Sequence, residues 1–441
     1  MYFSAVLVSG LVMLLAACFS PWAGNGGDGT ITLNVGGGRT IVTPDEQNTL
    51  DYTITLTGPG GTISKTVKGA GQVSLQVSPG TWRVDIRGYG NMPDTYDFDL
   101  TPDMIFPDAP EHWLRALGFQ SAVQVKGGAS VSVPLEMTTA TEVSTWEQLQ
   151  FVIERASGGK EIIVITGGDI SASSSNPMIF DFPTQITLMA DKPVTITRDA
   201  TFVSSFFPVG NNSTLVLGKP GMTGTITIDG SGGGTSNGTL INVNNGNLEM
   251  YDGVILTKNK SYSSFGGGAV SLTPNSPTDT ANFTMYGGTI SNNEAVGSQG
   301  GGVSVMNNGG TTNFTMLGGS ISGNSTSQEG GGVYVNGGTF NMSGGTIGGN
   351  TALMGGGVYI DTNGTFTKTS GGGVIYGKAT GSTDPNSNNA VTDTGNGNAA
   401  FWVNNSVSPS TFYYRDSTAG SGERLSTDSI TEWTLGGIFS S

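Results

Sequence analysis

Few side chains in the glycine-rich half of this chain could do acid–base chemistry. Asp229 in TITIDG, Glu249 and Asp252 in LEMYDG, and Asp361 in VYIDTNG stand out, with Lys258 and Lys260 close by in sequence. Cleaving a glycosidic bond takes two carboxyl groups ~5 to 9.5 Å apart across the bond, and a Ca²⁺-dependent elimination takes several carboxylates plus a Lys or Arg base. Asp229 and Asp252 are the candidates for such a role. Glu249 and Asp252 lie three residues apart, so on a strand they face opposite sides and do not act together. Asp252 also aligns with Gly287, Gly318 and Gly344 of later repeats, which makes it a turn residue. The single histidine, His112, stands beside Trp113 with no second His or a Cys nearby, so it reads as a loop residue and no metal or cofactor is expected.

The elements that would position these residues are written as a repeated phrase. FTMYGGTISNNEAVGSQGGGVSV begins at Phe283, FTMLGGSISGNSTSQEGGGVYV at Phe314 and FNMSGGTIGGNTALMGGGVYI at Phe340. Ile290, Ile321 and Ile347 fall in one column at steps of 31 and 26 residues; more degenerate copies place Ile255 before it and Ile375 after it. Phe283, Phe314, Phe340 and Phe366 form a second column, Asn293, Asn324 and Asn350 a third, and the glycine triplets at Gly300, Gly330 and Gly355 a fourth. Self-similarity at such periods marks a solenoid. Short alternating runs such as VYV, TFNM and GTI, punctuated by glycine, read as three strands per coil. Coils of this kind stack at roughly 4.8 Å as a parallel β-helix. Phe and Ile would then point inward and stack, while the Asn column would sit at a bend and hydrogen-bond along the axis as a ladder.

Composition narrows the function classes. Glycine contributes 72 of 441 residues, far above the usual share of about 7%, yet without a collagen-like triplet period. The net charge of −15 and the absence of any Lys/Arg run exclude a role built on nucleic-acid phosphates. Only nine charged side chains lie between Ser231 and Ser370, so the solenoid surface is mostly Ser, Thr and Asn, suited to carbohydrate or protein contact.

The one cysteine is Cys18, which rules out an intramolecular disulfide. It closes an uncharged apolar stretch over 1–17 that is short for a membrane span. Leu15-Ala16-Ala17-Cys18 resembles the lipobox of bacterial lipoproteins. That resemblance implies a signal peptide over 1–17, lipid attachment at Cys18, and an address in the bacterial cell envelope, at the outer membrane on its surface or periplasmic face. Multiple acyl chains anchor stably, each buried CH₂ adding about 0.8 kcal/mol.

The chain then divides as follows. Residues 18–29 are a flexible tether. Residues 30–138 carry about seven alternating strands and read as a small antiparallel β-sandwich, interrupted from Asn91 to Leu117 by a long loop. SLQVSPGTWRVDIRGY is similar to turns of immunoglobulin-like and transthyretin-like accessory modules. Residues 139–376 form the β-helix, opened by a helical cap over 144–157. There Ser144 and Glu147 have capping-box spacing, and Trp146, Leu149, Ile153 and Ala156 share an apolar face. This helix and the following strand EIIVIT resemble the N-terminal cap of pectate-lyase-like right-handed β-helices. Residues 377–441 read as a loop followed by last coils or a cap.

The series Ile290, Asn293, Ala295, Gly301-Gly302-Val303, repeated from Ile321 and from Ile347, resembles polymorphic outer-membrane-protein repeats over residues 250–376. In that family a Phe-x-x-Asn element leads into Gly-Gly-Ala-Ile; here Ile replaces the Phe. The resemblance implies a surface β-helix associated with adhesion. Its members end in a transmembrane β-barrel, for which the 65 residues after Tyr376 are too few, so a lipid anchor is expected to take that role.

The expected protein is all-β, a right-handed parallel β-helix solenoid preceded by a small antiparallel β-sandwich domain. Its expected function is a non-catalytic, lipid-anchored scaffold for surface adhesion, with a glycan or protein ligand and the membrane as partners. The alternative is a polysaccharide lyase or glycoside hydrolase of the pectate-lyase-like class. The GGxGxDxUx nonapeptide that binds Ca²⁺ is absent from the repeats.

Overall fold

The computed structural model describes residues 27–35, 47–91, 113–156, 158–172, 183–231, 238–368, 373–377, 387–390, 399–404, 411–415 and 434–438. The leader over 1–17, Cys18 and His112 lie outside the described residues.

The N-terminal unit is built from β1 (Gly29–Val35), β2 (Asp51–Gly58), β3 (Gly61–Lys68), β4 (Gly71–Val77), β5 (Gly80–Gly90), β6 (Trp113–Val125) and β7 (Ser130–Val133). One sheet runs β4-β1-β7 and the facing strands run β3-β2-β5-β6. Pairing is antiparallel except between β1 and β7, which run parallel. Strict alternation puts Tyr52, Ile54 and Leu56 of β2 inside, against Ile31, Leu33, Trp82 and Val84. Residues 113–117, expected in a loop, are the first part of β6. Trp113, Leu114, Ala116 and Leu117 enter three different apolar clusters, so both faces of this segment are buried and the polar alternation that marks a strand is missing.

No seam separates this unit from the solenoid. β8 (Thr138–Val143) pairs antiparallel with β6 on one side and parallel with β9 (Lys160–Ile165) on the other. A single sheet of 13 strands therefore begins as the antiparallel unit and continues as one wall of the solenoid. Side chains brace the same junction. Arg87 of β5 binds Asp85 at 3.1 Å and Asp191, the first residue after the next strand of that wall, Gln185–Ala190, at 2.7 Å. Lys219, whose ammonium burial pushes down to about 8, lies 4.5 Å over the Phe119 ring.

The helix α1 (Trp146–Arg155) covers the open end of the core. Its N-cap is Thr145 rather than Ser144. The Thr145 hydroxyl accepts from Gln148 N–H, and Gln148 Oε1 accepts from Ser144 N–H at 2.8 Å, so the capping partner of the cap is Gln148 and not Glu147. Trp146 meets Phe202 and Phe206 edge-on at 5.4 and 5.7 Å within the solenoid core.

Among the described residues, the five coils from Gly246 onward cross four sheets rather than the expected three, and the earlier coils have no strand in the fourth. In the coil from Thr339 these are Thr339–Met342 (wall one), Thr346–Gly348 (wall two), Thr351–Ala352 (a short wall) and Val358–Ile360 (wall three). The short wall consists of two-residue strands next to the asparagine bend, too brief to read from alternation. Register is in phase across coils: Phe283, Phe314, Phe340 and Phe366 pair in succession, as do Ile290, Ile321, Ile347 and Ile375. In the preceding coil the inward position is Leu256, while Ile255 pairs with Thr289 and faces outward. Both are apolar, and a one-residue slip exchanges the faces of a strand.

Glycine sets the coil-to-coil spacing at the triplets. Gly330 and Gly355 have φ of 72° and 61°, a region costly for residues with a Cβ. A Cβ on Gly331 would sit 2.5 Å from the carbonyl oxygen of Gly356 in the next coil. The C-terminal end reverses the N-terminal arrangement: Ala400–Asn404 adds parallel to wall three, and Thr411–Arg415 and Thr434–Ile438 extend it antiparallel.

Candidate functional site

Carboxylates come first because catalysis would need them. Asp229 ends a strand of wall two and is buried; it accepts from Ser231 N–H at 2.9 Å and from Lys258 Nζ at 2.9 Å. Those bonds outweigh the cost of burial and hold its carboxyl below the usual value. Asp252 is exposed in the turn before the next strand of that wall, where its Oδ1 accepts from Gly288 N–H at 3.1 Å. Asp229 pairs with Thr257 at the far end of the strand Val254–Thr257 that starts after the Asp252 turn, so the two carboxylates lie at opposite ends of that strand, about 10 Å or more apart at ~3.3 Å per residue. That exceeds the reach of an acid–base pair across one glycosidic bond. Glu249 accepts from Tyr251 Oη–H at 3.1 Å on the outer face of wall one. Asp361 accepts from Tyr334 Oη–H at 2.7 Å and from Thr362 N–H at 2.7 Å. Lys260 pairs with Glu294 at 3.2 Å. The named carboxylates are thus each bound separately, at different places on the rod.

The asparagine column is buried and continuous. Asn293 Nδ2 donates to Asn324 Oδ1 at 2.9 Å, and Asn324 Nδ2 to Asn350 Oδ1 at 3.0 Å. Each oxygen also accepts the backbone N–H of the preceding asparagine, and each amide also donates to a carbonyl one coil back, as Asn324 does to Ile290 O at 3.0 Å. Two further rungs were not singled out from the sequence. Asn350 Nδ2 donates to Asn388 Oδ1 at 2.9 Å, and Asn259 N–H donates to Asn293 Oδ1 at 3.0 Å. Asn388 lies in the stretch read as a loop, yet Asn388-x-Ala390 repeats the Asn293-x-Ala295 and Asn350-x-Ala352 pattern that could have marked it. The phenylalanines stack beside this ladder with ring centroids 4.7, 4.6 and 5.0 Å apart.

The outer face of wall one carries a second asparagine file. Asn282 Nδ2 donates to Asn247 Oδ1 and Asn313 Nδ2 to Asn282 Oδ1, both at 2.9 Å, and Asn247 continues to Thr214 Oγ1 at 3.1 Å. Thr284 and Thr315 pair in the next outward column. At its edge Tyr251 and Tyr286 stack at 4.5 Å, with Tyr286 and Leu317 exposed. This is a flat, regular surface of amides and hydroxyls with one carboxylate, Glu249. It can exchange hydrogen bonds with a polar partner and has little charge to contribute.

No protein-family model, curated protein or solved structure matches this chain.

Proposed function

We propose that this chain is a non-catalytic, lipid-anchored protein of a bacterial cell envelope, held at the outer membrane through Cys18, whose solenoid is a rigid scaffold for adhesion through glycan or protein contact. The observation that carries the reading is the outer face of wall one, where Asn247, Asn282 and Asn313 form a fixed file of amides. A surface that already holds its polar groups in place loses little conformational entropy when it binds. The lipoprotein part rests on Leu15-Ala16-Ala17-Cys18, and the adhesion part on the repeat columns.

Two measurements test this. External protease on intact cells should remove the solenoid while leaving a periplasmic marker whole, and the protein should be retained by glycans or envelope proteins in a binding screen. Full protection from external protease, with no glycan or protein retained, contradicts the proposal. The alternative, a polysaccharide lyase or glycoside hydrolase, draws on the Asp229–Lys258 pair. It predicts depolymerisation of an acidic polysaccharide that disappears in Asp229→Ala or Asp252→Ala; under our reading neither the activity nor its loss is seen.

A further inference from the structure

Where wall three turns into wall one, three successive coils line an open cleft of ≈ 400 Å³. Asn211 lines it from one coil, Asn244 and Asn245 from the next, and Asn275 and Asp279 from the third, with Pro208 beside them. The backbone here is fixed. Asn211 and Asn212 hold φ of 53° and 57°, a left-handed conformation that asparagine tolerates better than most residues. Asn212 N–H donates to Asn245 O at 2.8 Å, Asn244 N–H to Val209 O at 3.0 Å, and Thr311 N–H to Asp279 O at 3.0 Å. Asn245 Oδ1 is engaged by Thr280 N–H at 3.4 Å. Among the described residues, no hydrogen bond from protein reaches the side chains of Asn244, Asn275 or Asp279.

The lining sets the ligand chemistry. Amides supply both donors and acceptors and the carboxylate accepts only, so the complementary partner presents several hydroxyls within one small volume. The lining contains no Lys or Arg, so a uronate, sulfate or phosphate group would face Asp279 without compensation. The volume lies toward the lower end of the ~300 to 1,000 Å³ usual for small-molecule sites. We propose that this corner is a binding site for a neutral saccharide, with sugar hydroxyls donating to the Asp279 carboxylate and exchanging hydrogen bonds with the Asn244 and Asn275 amides. The proposal rests on the glycan-contact reading given above and narrows it to one place and one charge class.

The test is affinity electrophoresis of the full chain through gels containing a neutral β-glucan, mannan or galactan, beside a polygalacturonate gel. The expected result is retardation by at least one neutral polymer and not by polygalacturonate. Asp279→Ala and Asn244→Ala should each weaken it at least tenfold without moving the thermal transition, Asp279→Asn should do so by a smaller factor, and Lys65→Ala, exposed on the N-terminal unit, should leave it unchanged. Retardation that survives both alanine variants overturns this site and leaves the glycan-contact reading standing. Failure of every polymer to retard the wild type overturns the site together with glycan contact. Titration with CaCl₂ alone that shows binding lost in Asp279→Ala overturns the saccharide assignment in favour of a cation.

Discussion

Two asparagine files run along this rod with nearly the same hydrogen-bond lengths and opposite surroundings. In the corner file, Asn293, Asn324 and Asn350 are buried, and their amides bond at 2.9 to 3.0 Å. In the outer file, Asn247, Asn282 and Asn313 bond at 2.9 Å but stand at the surface of wall one. Bond length therefore does not distinguish them; access to water does. A buried amide that loses its partner leaves groups unsatisfied at ~1 to 3 kcal/mol each, whereas an exposed one is rebonded by solvent. The corner file is accordingly structural, and the outer file is the one that our proposal gives to a partner.

The strand that carries Asn313 also carries Phe314 on its other side, so the sharpest way to break the comparison is to cut neighbouring residues. Phe314→Ala removes a ring stacked between Phe283 and Phe340 and should cost about 3 to 5 kcal/mol in urea unfolding. Asn324→Ala comes next. It strips the acceptor from both Asn293 N–H and Asn293 Nδ2, and should lose roughly 3 kcal/mol by the same measurement. A loss as small as that of an outer-file variant would end the distinction between the two files.

A charged residue extends the contrast to pH. Burial pushes the Glu161 carboxyl of β9 up to about 7, against the hydrogen bond from Thr141 and the charge of Arg115. Because the folded value lies above the unfolded value of 4.5, the protonated acid favours the fold. This contribution is complete below about pH 4.5 and is lost as pH rises to about 7. Thermal denaturation should therefore show the wild type falling relative to Glu161→Gln across that interval, and equal slopes would contradict it. The smallest effect belongs to the outer file: Asn282→Ala should change unfolding free energy by no more than about 0.5 kcal/mol while weakening any partner that uses this face.

The Phe, Ile and Asn columns were legible because the same letter returns at each coil and faces the same side. Legibility failed where the surroundings erased that signal. Ile255 and Leu256 are both apolar, so sequence could not say which faced inward. Asn388 follows Asn350 by 38 residues, against steps of 31 and 26 between the earlier rungs, which hid its place in the ladder. The outer asparagines looked like any polar residue on an exposed face. The unbroken sheet through β6, β8 and β9 depends on which strand edges meet, and alternation along one strand carries no information about its neighbours. The polar corner at Asn244 and Asp279 gathers residues from three coils, and their separation of 35 positions left no local motif.

Coil register is the premise beneath both files, and cross-linking tests it most directly. With Cys18→Ser in place, Thr284→Cys paired with Thr315→Cys puts two thiols on adjacent strands, whereas Thr284→Cys paired with Asn341→Cys puts them two coils apart. Dibromobimane, which becomes fluorescent on joining thiols a few ångström apart, should bridge the first pair at ~4.8 Å strand spacing and fail with the second at ~10 Å. Equal labelling of both pairs, or of the second alone, would contradict the stacked arrangement.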